Sequence, residues 1–152
     1  MIRELDTTRT SVIVKAAMAL GVLATANPAV GHEQKGSLGR DPGATDQYQV
    51  ICTVGEGSGD PHHLTMSVLD RTAGPAMVSV QVSKGFAATN TTDFIGGDTK
   101  FSTESVTVGG GGVYGVLVDK NGKGAQNYAL SLHCQDIDNI HAGTAVQTLQ
   151  NQ

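Results

Sequence analysis

Five histidines, His32, His62, His63, His133 and His141, carry most of the metal-ligating chemistry in this 152-residue chain. Imidazole nitrogens suit copper, nickel, zinc and iron. His32 is the sharpest of the five because of what precedes it. Cleavage after Gly31 leaves His32 at the new N-terminus, with an α-amine and an imidazole on one residue. Cleavage after Ala29 leaves Val-Gly-His, whose amine, amides and imidazole form a square-planar nitrogen set. Either arrangement suits copper(II) or nickel(II). A fold that brings His141 or His62 close to His32 completes a three-nitrogen site. Read without that chemistry, the same residues are loose terminal chain.

The other histidines carry weaker signals. His62 and His63 are adjacent, so on a strand they face opposite ways. In the loop Gly59-Asp60-Pro61-His62-His63 they can share an ion, with Asp60 nearby. His133 alternates outward from the apolar face of its segment and is expected to be exposed.

Hard oxygen donors suggest calcium at one place. Asp93 and Asp98 lie in the longest loop, with Asn90, Thr91 and Thr92 before them and Gly96-Gly97 between. The competing reading is an ordinary polar loop whose Asx side chains satisfy their own backbone. Asp119-Lys-Asn121-Gly122-Lys-Gly124 looks like the start of a calcium loop, but its twelfth position is Leu130, so the bidentate carboxylate is missing. Asn-Gly between alternating segments reads as a hairpin turn.

Catalysis finds little support, and the chain is expected not to be an enzyme. Ser58 in Gly-Glu-Gly-Ser-Gly and Ser37 in Lys-Gly-Ser-Leu-Gly both miss the nucleophile-elbow spacing. There is no His-Glu-x-x-His and no phosphate loop. The absence of tryptophan weakens a carbohydrate-stacking role.

The elements that must position these residues begin after an export signal. Arg3, Arg9 and Lys15 form a basic n-region, an apolar segment runs from Ala16 to Ala26, and small residues follow at peptidase spacing. That segment falls short of the roughly 20 apolar residues of a spanning helix. Residues 1–31 therefore read as a signal peptide, 32–45 as a flexible glycine-rich leader, and 46–150 as one domain. An exported product follows: periplasmic, at the cell surface or extracellular. Beyond the signal, seven basic side chains face twelve carboxylates, a balance that argues against nucleic acid or an anionic membrane as partner. No later run is apolar enough to span a membrane.

Strict alternation marks the strands: Tyr48-Val50-Cys52, Leu64-Met66-Val68, Val78-Val80-Val82, Tyr114-Val116-Val118 and Tyr128-Leu130-Leu132-Cys134. Val106-Val108 and Thr144 to Leu149 add two more, while residues 85–101 read as a long loop. Glycine, proline, asparagine and aspartate separate the strands at intervals of roughly 10 to 15 residues. The pattern predicts an all-β, jelly-roll-like antiparallel sandwich of seven or eight strands. Cys52 and Cys134 share the core face of their strands, and in an oxidising compartment the simplest outcome is a disulfide. The uncharged segment from Thr144 lacks proline and either pairs within its own domain or adds to a neighbour's sheet.

Asp46-Gln-Tyr48-Gln-Val50, Gly112-Val-Tyr114-Gly-Val116-Leu-Val118 and Asn127-Tyr128-Ala-Leu130 together resemble the bacterial pre-peptidase C-terminal domains, over about residues 44–134. The aspartate-leucine strand usual in the middle of that family is absent. The resemblance implies a sandwich of the kind attached to secreted enzymes as a substrate- or surface-binding module, sometimes with calcium. Three functions are therefore expected in turn. The first is a non-catalytic exported binding or structural domain. The second is a copper- or other metal-binding protein using His32, and the third is an accessory module of a small secreted hydrolase.

Overall fold

The computed structural model describes residues 32–152; the expected signal segment and its cleavage point lie outside them. Among the described residues nine strands follow one another: β1 (His32–Leu38), β2 (Asp46–Thr53), β3 (His63–Asp70), β4 (Val78–Lys84), β5 (Ala87–Asp93), β6 (Ser105–Val108), β7 (Gly112–Lys120), β8 (Gln126–Gln135) and β9 (Gly143–Gln150). They form two antiparallel sheets, β1-β8-β3-β6 and β5-β4-β7-β2-β9. This is the all-β sandwich that the alternation predicts. Among the described residues no helix is long and apolar enough to cross a membrane.

The core is the inward face of the alternating strands. Val50, Val68, Val78, Val80, Tyr114, Val118, Leu130 and Leu132 are fully buried between the sheets. Burying each large apolar side chain of this kind contributes about 1.5–3 kcal/mol. Cys52 of β2 and Cys134 of β8 are bonded, with Cα atoms 5.5 Å apart and a sequence separation of 82. Because β2 and β8 belong to different sheets, the disulfide pins the two layers together.

Two stretches read as irregular are strands, which raises the count from the expected seven or eight to nine. The supposed flexible leader contains β1, paired with β8 from His32 opposite Leu132 to Leu38 opposite Gln126. Glu33, Lys35 and Ser37 face water, so the strand has almost no apolar period, yet Leu38 is fully buried and anchors its end. Gly36 makes the pairing possible. A Cβ there would stand 2.3 Å from the Tyr128 hydroxyl. The supposed long loop contains β5, a polar edge strand of the other sheet that pairs with β4. Its threonines bond sideways: Thr89 to Thr107 at 2.5 Å and Thr91 to the Thr103 carbonyl at 2.7 Å. In β6 the two valines point outward, 45% and 54% exposed, and Thr107 takes the buried position between them.

The C-terminal segment pairs within its own domain. β9 lies against β2, with Val146 opposite Val50 and Thr144 opposite Cys52. Its end is tied down by Gly39 N–H donating to the Gln152 carbonyl and by Gln152 N–H donating to Asp46 Oδ1, each at 2.7 Å.

Candidate metal centre

Three of the five histidines converge at one sheet edge. His32 opens β1, His133 lies in β8, and His141 sits in the bridge before β9. The bridge owes its shape to Asp136. The Asp136 carboxylate accepts from the backbone N–H groups of Asp138 (2.9 Å), Ile140 (2.8 Å) and Gly59 (2.9 Å). Those bonds, that from Gly59 first, hold its pKa below the ordinary carboxylate value. Asn139 takes the left-handed conformation, with φ of 63°, and turns the chain back. His141 then forms a β-bridge with Gln135, two residues past His133 on the same strand. β1 and this bridge cover successive stretches of β8, so His32 and His141 flank His133.

The resulting geometry is close. His133 Nδ1 and His141 Nε2 are 3.1 Å apart. The His141 ring stands at 71° to that of His133, with centroids 5.2 Å apart, and stacks on that of His32 at 5.7 Å. His133 Nε2 meets the Ser131 hydroxyl at 3.0 Å. His32 Nε2 is sealed from solvent and has no hydrogen-bond partner among the described residues, an arrangement that native proteins seldom leave without a purpose. Burial, then repulsion from His141, lowers the pKa of both His32 and His133; Glu104 opposes the shift at His133. Both rings are therefore neutral near pH 7, with a lone pair to offer.

Two nitrogens bound to one ion at about 2.0–2.1 Å stand about 2.9–3.4 Å apart, depending on the angle between them. The 3.1 Å contact of His133 and His141 is a hydrogen bond between the two rings, and its length also lies in that interval. Among the described residues, no group of three or more His, Cys, Asp or Glu side chains is placed to hold a metal ion. The cluster is a hydrogen-bonded pair of imidazoles with a third imidazole one ring away.

The remaining expected ligands fall elsewhere. His62 and His63 also approach, Nδ1 to Nδ1 at 3.1 Å. His63 is buried, however, and its Nε2 meets Gln135 Oε1 at 3.0 Å. The amide oxygen requires a proton on Nε2, so Nδ1 of His63 accepts from His62 and the pair is a closed hydrogen-bond unit. Asp93 and Asp98 accept from separate backbone groups. Asp93 is buried and accepts from the N–H groups of Asp70 (2.7 Å) and Ile95 (3.0 Å), while Asp98 accepts from Lys100 N–H at 2.8 Å. Each carboxylate is occupied with backbone N–H groups. Ser58 closes a turn with Gly55 through its hydroxyl.

His133 is the member that alternation misjudges. It is half-buried rather than exposed, because the returning bridge covers it. The Asp136-x-Asp138-Asn139 run was the available signal, since such residues favour a tight reversal that brings position 141 back beside 133. Comparison with known protein families, curated proteins and solved structures gave no match.

Proposed function

We propose that this chain is a non-catalytic, exported β-sandwich domain that binds a transition-metal ion, copper(II) foremost, through His133 and His141, with His32 as third ligand. The observation that carries the reading is the convergence of three imidazoles from three separate chain segments. Copper(II) binds nitrogen sites most tightly among the divalent first-row metals. The cysteines are tied up in the disulfide, which leaves a site without thiolate and suited to the oxidised ion. Export follows from the signal segment and accords with that bond. Cleavage after Gly31 would add the His32 α-amine as a further nitrogen next to the cluster.

Native mass spectrometry of the exported protein tests both parts. The expected result is a mature N-terminus at or just before His32 and one copper per chain, lost in the His133→Ala, His141→Ala double variant. Copper retained in full by that variant would refute the assignment.

A further inference from the structure

Each sheet of the sandwich has two edges, and three of the four are guarded against pairing with another chain. β1 carries Glu33 and Lys35, with Arg71 bonded to Glu33 at 2.9 Å. β6 is only four residues long. The flank of β5 is engaged by the segment that holds Thr103 and Thr107. Charges, short length and a covering segment are the usual protections of an exposed edge. Among the described residues β9 has none of them. No charged side chain or proline occurs from Gly143 to Gln152, and the register with β2 is regular from Tyr48 to Thr53. Among the described residues β2 is the one strand that pairs with it.

We infer that β9 is a self-association edge, pairing antiparallel with β9 of a second copy across a twofold axis. The partner is a second copy because the edge is uncharged, so bringing two together meets no like-charge repulsion. An axis at Gln147, the middle of the strand, sets Leu149 of one copy opposite Ala145 of the other. Leu149 is 52% exposed and Ala145 is also exposed, so this contact covers apolar surface on the outer face. Ala145 in turn lies opposite Ile51 of β2, extending the apolar strip across the joint. The result is a continuous ten-stranded sheet. Eight residues span about 26 Å, an interface at the small, weak end of the range, with a Kd in the micromolar to millimolar decades.

Sedimentation equilibrium of the wild-type protein up to about 1 mM and of Gln147→Lys and Gln147→Glu variants tests this. Both substitutions are at an exposed position and leave the core intact. The expected result is a concentration-dependent wild-type dimer, monomers for each variant alone, and a restored dimer on mixing the two. A monomeric wild type throughout, or variants that each dimerise as the wild type does, would overturn the proposal. Metal binding is unaffected by these changes, so the two readings fail separately.

Discussion

The hydroxyls of Tyr48 and Tyr128, one in each sheet, are 2.6 Å apart in the middle of the sandwich. Tyr128 also donates to Asp46 Oδ2 at 2.5 Å. Asp46 and Tyr128 are at most 1% exposed, and burial raises the pKa of both phenols, that of Tyr128 most strongly. The chain Tyr48–Tyr128–Asp46 thus bridges β2 and β8 by polar bonds where the disulfide does so covalently. Tyr128→Phe removes the middle link and leaves a buried carboxylate oxygen short of a donor. The expected loss is about 1–3 kcal/mol in urea unfolding, with Tyr48→Phe, at the end of the chain, losing less.

Removing the disulfide acts on the unfolded chain. Cys52→Ser with Cys134→Ser is expected to lower stability by about 2–5 kcal/mol, read as a lower urea midpoint. The bond lies in the core, so copper affinity measured under folding conditions should change little.

Much of this architecture is legible in the sequence, and the reasons for the gaps are physical. Val78-Val80-Val82 and Tyr128-Leu130-Leu132 announce themselves because one face of each strand is apolar and the other polar. β1 and β5 do not, because an edge strand can be held by backbone bonds and one buried residue such as Leu38. The Asp46, Tyr48 and Tyr128 positions stand out as motif residues, but their meeting in space depends on the sheet order. The pairing of His32 with His141 was open to anticipation. The place of His133 was not, since it depends on a bridge that folds back at Asn139.

Asp70 and Asp93 are buried next to one another at the ends of β3 and β5, and one Asp70 oxygen has no hydrogen-bond partner among the described residues. Burial, and then the nearby Asp93 charge, raise the pKa of Asp70 above its usual 3.8. A carboxyl whose folded pKa is raised stabilises the fold below its unfolded pKa, and that contribution fades as pH rises through the folded value. At neutral pH the charged form is a burden. Asp70→Asn should therefore be neutral or stabilising at pH 7 and lose that advantage near pH 3, as thermal melts across pH would record.

The histidine cluster has the opposite dependence. His32 and His133 have folded pKa values below the usual 6.5, so the neutral forms favour the fold. Stability that they contribute is present above 6.5 and is lost as pH falls through the unfolded and then the folded values. Glu104 near His133 opposes the shift there. Hydrogen exchange of the β1 amides should rise selectively on acidification below about pH 6.5, and His32→Gln should blunt that rise.

The most direct test of the metal assignment is electron paramagnetic resonance of one equivalent of copper(II) at pH 7.5, in the wild type and in the His133→Ala, His141→Ala and His62→Ala variants. The account predicts a spectrum with hyperfine coupling from at least two imidazole nitrogens. It further predicts that affinity falls by more than about tenfold in either of the first two variants, the scale on which even indirect ligand partners act, and stays unchanged in His62→Ala. A wild-type spectrum of unbound copper, or binding lost on changing His62 and kept without His133 and His141, would contradict it.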